Sequence, residues 1–264
     1  MEALRPHVVV SPDAAAVAKA GARLWVDAVR HALPSRGAIH IALAGGSTPL
    51  ALYRAVAEEP DLDYAWHRTH LWWGDERAVP ADDPRSNARA AAPFLDVVPV
   101  PAAQVHPMDG GAADLDAAAA RYDALLCEAL AADDHGPPVL DLILLGLGAD
   151  GHTASLFPGS PALHVRNRAV CAVTDAPAPL AQRLTLTLPV LSAGRRVVVL
   201  ATGADKAAAV AAALEPDAAS GSLAALSPVA RVRPAPGRLV WLLDEAAAAR
   251  LTRTPRAHAA DGGA

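Results

Sequence analysis

Short runs rich in Val, Ile, Leu and Trp alternate with longer alanine-rich stretches along most of the chain, and Gly, Pro, Asn or Asp marks most of the switches. Compact apolar runs bounded by such residues read as buried strands; the longer stretches read as helices. The pattern predicts strands at 7–10, 39–43, 69–73, 140–145, 169–173, 184–188, 196–201 and 239–243. Helices are predicted up to about Leu33 and Ala57, and then near 87–94, 113–131, 204–214 and 245–251. Ser11-Pro12-Asp13 supplies an N-cap, a proline for the first helical position and an early acid. Pro34 and Gly37 are expected to stop that helix. Strands alternating with helices imply an α/β fold with a mostly parallel sheet covered on both faces. Residues 1–251 read as a single α/β domain, and the polar tail 252–264 as frayed.

Composition narrows the class. The chain has 264 residues, 53% of them hydrophobic, and a formal net charge of -5. That balance gives no reason to expect nucleic acid or an anionic membrane as partner. No apolar stretch is long enough to span a bilayer, and no apolar segment follows a basic start as in a signal peptide. A cytoplasmic protein is expected. Cys127 and Cys171 lie far apart in apolar contexts and read as buried free thiols. Lysine occurs only at 19 and 206, which draws attention to Lys206.

Three glycine-containing turns follow predicted strands. After 39–43 comes Ala44-Gly45-Gly46-Ser47-Thr48-Pro49. Two glycines permit close backbone approach, and a helix start offers unpaired N–H groups to an anion. The same residues would also make a capped turn with no ligand. After 69–73 comes Gly74-Asp75-Glu76-Arg77, with Ser86-Asn87 downstream. Arg77 could clamp phosphate or carboxylate, and Asp75 could orient a neighbour; a solvated charged loop is the plain alternative. After 196–201 comes Thr202-Gly203-Ala204-Asp205-Lys206. A lysine at a helix start opposes the helix dipole, which a bound anion would explain.

The longest glycine-rich segment runs Gly146-Leu-Gly-Ala-Asp150-Gly-His152-Thr-Ala-Ser-Leu-Phe-Pro158. It places one imidazole at the carboxyl end of a strand, where open α/β sheets bind ligands. Asp150, two residues earlier, is placed to orient the ring. No Gly-x-Ser-x-Gly elbow and no metal-ligand spacing of His or Cys is present, so no metal is expected. His152 therefore reads as a general base acting on water. Turns suited to anions, with an arginine and a histidine at the same sheet edge, suggest a small phosphorylated substrate.

These motifs together resemble those of the 6-phosphogluconolactonases, within the glucosamine/galactosamine-6-phosphate isomerase superfamily. The resemblance rests on the Gly-Gly-Ser-Thr-Pro block, on Trp73-Gly-Asp-Glu-Arg-Ala-Val-Pro80 with Ser86-Asn87, and on the His152 block. Arg183-Leu-Thr-Leu-Thr, Thr202-Gly-Ala-Asp-Lys and Leu239-Val-Trp-Leu-Leu-Asp add to it. It implies a Rossmann-like three-layer fold, no cofactor, and hydrolysis of 6-phospho-D-glucono-1,5-lactone in the oxidative pentose phosphate pathway. By carry-over, His152 activates water, Arg77 and Lys206 contact the substrate's anionic groups, and Gly45, Gly46, Ser47 and Thr48 help form the sugar-phosphate site; Arg183 is also expected to bind substrate, and Asp75 to orient it. The expected partner is a small phosphosugar lactone, with a monomer or small homo-oligomer as the working form. Related amino-sugar-phosphate deaminases carry Asp-Glu-Tyr where this chain has Asp75-Glu76-Arg77. They also carry a glutamate after the histidine, where Thr153–Pro158 has no acid. A phosphosugar-sensing regulator on the same fold would need a DNA-binding segment, and the first strand leaves no room before it.

Overall fold

The computed structural model describes residues 6–130, 136–177, 179–216 and 226–258. In chain order β1 (His7–Ser11), α1 (Ala14–Arg36), β2 (Ile39–Leu43), α2 (Ser47–Ala57) and β3 (Thr69–Trp73) come first. Next are β4 (Asp75–Arg77), α3 (Asn87–Leu95), β5 (Val105–His106), α4 (Leu115–Ala129) and β6 (Leu142–Gly146). Then follow β7 (Val170–Val173), β8 (Arg183–Leu186), α5 (Leu188–Ala193) and β9 (Arg196–Ala201). The last are α6 (Ala207–Leu214), β10 (Arg238–Asp244), α7 (Glu245–Ala248) and β11 (Ala257–His258).

Eight strands form one sheet in the order β11-β1-β10-β9-β6-β2-β3-β5. Every pairing in it is parallel. The carboxyl ends of β2, β3, β6 and β9 therefore lie along one edge, as the α/β pattern predicts. Val197, Val198, Val199 and Leu200 are all buried, which explains why β9 reads as a continuous apolar run rather than an alternation. A separate antiparallel sheet, β4-β8-β7, stands beyond the end of β3. The segment 74–77 is thus a change of sheet rather than a loop. No described helix is long and apolar enough to cross a membrane.

Several local expectations are corrected. Ser11 belongs to β1, paired with Asp244, so Asp13 caps α1 instead and accepts from the Ala16 N–H at 2.8 Å. Pro34 lies inside α1, which ends only at Gly37 in the left-handed region (φ 75). A proline in the last turn forfeits one backbone bond, and burial of Trp25, Val29, Ala32 and Leu33 carries the helix past it. Cys127 is exposed whereas Cys171 is buried; both are free thiols. Residues 252–258 are held, not frayed. The Glu215 carboxylate accepts from the N–H groups of Thr252, Arg253 and Thr254 at 2.9, 2.6 and 2.7 Å. β11 then pairs with β1. A polar tail shows no periodicity that would reveal so distant an anchor. Residues 259–264 lie outside the described residues.

At the β2–β3–β5 edge, parallel register sets His40 beside His70, and Trp72 beside His106. The rings stack, with centroids 4.5 Å apart for His40–His70, 5.4 Å for His70–His106 and 4.0 Å for Trp72–His106. Burial pushes His40 down to about 4, helped by repulsion from His70, His106 and Arg36. Burial and His70 push His106 to about 4, and burial lowers His70 as well. The folded protein thus refuses protons that the unfolded chain accepts from pH about 6.5 downward. Stability should be fully present above pH 6.5 and fall between there and about pH 4. In urea titrations, His70→Gln should shallow that fall by removing the central imidazole. An unchanged slope would show that the stack contributes nothing to acid lability.

Candidate functional site

Four strand ends build the site. After β2, Gly46 takes φ 103, a conformation that suits glycine, and α2 begins at Ser47. Tyr53 clasps the turn: its hydroxyl accepts from the Ala44 N–H at 2.8 Å and donates to the Ala44 carbonyl at 2.7 Å.

After β3, the chain crosses into β4. The side chains of a strand alternate between faces. Glu76 is buried and accepts from the Arg77 N–H (2.7 Å), the Asn87 N–H (2.7 Å), the Ala88 N–H (2.8 Å) and the Ser86 hydroxyl (2.9 Å). Those donors include the first N–H groups of α3, which would otherwise be orphaned. Asp75 and Arg77 line a cavity instead. Antiparallel register sets Arg77 directly opposite Arg183 of β8. Burial, then repulsion from Arg77, lowers the pKa of Arg183, against attraction from Asp75 and Glu76. Like charges directly opposite are unfavourable without a counter-ion. The Arg77 Nε is buried and has no hydrogen-bond partner among the described residues.

After β6, the turn 147–152 closes through Gly148 N–H to the His152 carbonyl and Gly151 N–H to the Gly148 carbonyl, both at 2.9 Å. A Cβ on Gly148 would sit 2.0 Å from His152 Nδ1, so only glycine lets the imidazole pack there. His152 Nδ1 lies 2.6 Å from Asp150 Oδ1, which also accepts the His152 N–H at 3.1 Å. The Phe157 ring lies against the imidazole, centroids 4.5 Å apart. Partial burial pushes Asp150 up, but the hydrogen bonds and charge of His152 outweigh it and hold the carboxyl below its ordinary range. Thr153 anchors the segment by donating to the Gly146 carbonyl at 2.9 Å.

After β9, Asp244 accepts the Gly203 N–H with both oxygens, at 3.0 and 2.9 Å. That N–H is therefore already paired and is not free for an anion. Lys206 itself reaches the cavity, with Nζ 3.2 Å from Asp205.

The cavity holds about 210 Å³. It brings together Gly45, Gly46, Asp75, Arg77, His152, Arg183 and Lys206. Three expected residues do not line it. Ser47 is exposed at the start of α2. Thr48 exchanges a hydrogen bond with Thr202 at 2.8 Å. Asp150 stands behind His152. Two residues that sequence reasoning did not assign are central: Asn87, which lines the cavity, and Glu76, which holds α3. Ser86-Asn87 carries the signal of a helix start, and Ser86 does accept the Arg89 N–H at 3.2 Å. Its link to Glu76, ten residues away in the other sheet, has no sequence signature.

The chain is similar to known proteins over most of its length. The family model described as glucosamine-6-phosphate isomerases/6-phosphogluconolactonase matches residues 12–241. A 6-phosphogluconolactonase of Streptomyces coelicolor is 41% identical over 256 residues, covering 94% of this chain and 96% of its own. One from Mycobacterium tuberculosis is 42% identical over 249 residues, covering 92% and 98%. The solved 6-phosphogluconolactonase of Trypanosoma cruzi superposes with a TM-score of 0.83 at 29% identity, covering 96% of this chain and 100% of that one. The chain belongs to the glucosamine-6-phosphate isomerase/6-phosphogluconolactonase family.

Proposed function

We propose that the chain hydrolyses 6-phospho-D-glucono-1,5-lactone to 6-phospho-D-gluconate, the lactone-opening step of the oxidative pentose phosphate pathway, with a water activated by His152. The observation that carries this reading is the meeting, in one cavity, of the Asp150-oriented imidazole with Arg77, Arg183 and Lys206. If Asp150 accepts Nδ1–H, the lone pair of Nε2 is free to take a proton. Water then loses its proton to Nε2 as its oxygen bonds to C1, the carbonyl pair moves to oxygen, and a tetrahedral oxyanion forms. Its collapse breaks the C1–O5 bond, and the imidazolium returns the proton to O5. A lactone is an activated ester, so positioning and oxyanion stabilisation are the main tasks. The paired guanidiniums of Arg77 and Arg183 fit a phosphate dianion, which would relieve their repulsion. The Gly45–Gly46 backbone and Lys206 complete the polar lining.

The decisive assay compares two substrates. Purified protein should hydrolyse fresh 6-phosphogluconolactone well above its spontaneous rate and release no ammonia from glucosamine 6-phosphate. Deamination requires an acid for ring opening, and no carboxylate lies between His152 and Pro158. His152→Ala should lower kcat by roughly 10²–10⁴-fold. Ammonia release rivalling lactone hydrolysis, or near-normal kcat in the variant, contradicts the proposal.

Arg77→Ala and Arg183→Ala should each weaken recognition of the phosphorylated lactone by about 1.5–3 kcal/mol in kcat/KM. Both should leave the slow turnover of unphosphorylated gluconolactone nearly unchanged. Equal losses on both substrates would remove the arginines from the phosphate site.

A further inference from the structure

Two carboxylates stand side by side at the start of β4 in opposite circumstances. Glu76 is 2% exposed and takes two donors on each oxygen, which fills the roughly four acceptor sites of a carboxylate. Asp75 is 8% exposed, lines the cavity, and takes only two. The Ser155 hydroxyl donates to Oδ2 at 2.6 Å, and the Asn87 amide donates to Oδ1 at 3.1 Å. No cation lies within ion-pair distance of Asp75 among the described residues. A nearly buried carboxylate with unused acceptor sites is costly unless a donor arrives.

The two donors hold it rigidly. The Asn87 Nδ2 also bonds the Asp75 main-chain carbonyl at 2.8 Å. Both partners are acceptors, so chemistry fixes which end of the amide faces Asp75. The other end, Oδ1, is buried without a partner and packs on Gly45, where a Cβ would come within 2.0 Å of it. The amide is wedged between the carboxylate and the glycine turn. Ser155 is fully buried, and its N–H is tied to the Thr185 hydroxyl at 3.2 Å. Thr185 is the register partner of Asp75 across β4 and β8.

We infer that Asp75 reads one ring hydroxyl of the substrate, and that Asn87 and Ser155 are positioning residues that aim it. A sugar lactone offers hydroxyl donors, and a hydroxyl-to-carboxylate bond is a strong contact that a deoxy analogue cannot make. The inference rests on the function proposed above. Asn87 and Ser155 act on selectivity among hydroxyl patterns, distinct from the phosphate contacts of Arg77 and Arg183 and from the proton transfer at His152.

The test assays wild type, Asn87→Ala and Ser155→Ala on the parent 6-phosphogluconolactone and on its 2-deoxy, 3-deoxy and 4-deoxy forms. With wild type, one deoxy lactone should lose about ten- to a hundredfold in kcat/KM while the others lose little. In both variants the penalty for that same lactone should shrink several-fold. Ser155→Ala removes a single hydroxyl and carries the test by itself if Asn87→Ala does not fold. Variants that are slower on every lactone in equal proportion overturn the inference, as does a wild type indifferent to every hydroxyl. Hydrolysis of the parent lactone with such uniform penalties defeats this inference alone. Failure of wild type on the parent lactone defeats the proposed function with it.

Discussion

The buried Glu76 carboxylate sets the geometry on which the cavity depends. Removing a carboxylate from water is costly unless hydrogen bonds replace its hydration. Here four donors do so, three of them backbone N–H groups. Because strand side chains alternate, turning Glu76 toward α3 turns Asp75 and Arg77 the other way, into the cavity. The same bonds fix the start of α3, and so fix Asn87 beside Asp75. The antiparallel register of β4 on β8 then presents Arg183 opposite Arg77. One satisfied carboxylate thus places two opposed arginines, an acceptor and its support.

The parallel sheet supplies the remainder. Its glycine turns after β2 and β6 let backbone and imidazole approach closely, and β9 delivers Lys206. Arg77 and Arg183 stand opposite each other across β4 and β8, and the Asp75 carboxylate has unused acceptor sites. Both features work against stability, and both match a substrate that is anionic at one end and hydroxylated along its ring. Strain concentrates here as well: Ala154, the one non-glycine residue with positive φ among the described residues, lines the same cavity at φ 48.

Much of this was legible in the sequence where the signal is local. Short apolar-rich runs located β2, β3, β6 and β9, and glycine turns with His152 marked the edge of what is seen as a cavity. Arg77 and Lys206 stood out by position, and the resemblance added Arg183. What was hidden depends on contacts distant in sequence. β4 looked like a loop because three polar residues show no strand pattern; only β8 makes them a strand. Ser11 lost its expected role as cap to the ladder with β10. The Gly203 turn looked free because Asp244, which pairs with its N–H, lies on another strand end. Glu215 holds the polar tail in the same non-local way.

A crystal structure with 6-phosphogluconate bound tests the central claim most directly. The account predicts the phosphate between the guanidiniums of Arg77 and Arg183, and the C1 carboxylate within hydrogen-bond reach of His152 Nε2. The reversed pose, with C1 at the arginines and phosphate beside His152, would contradict it.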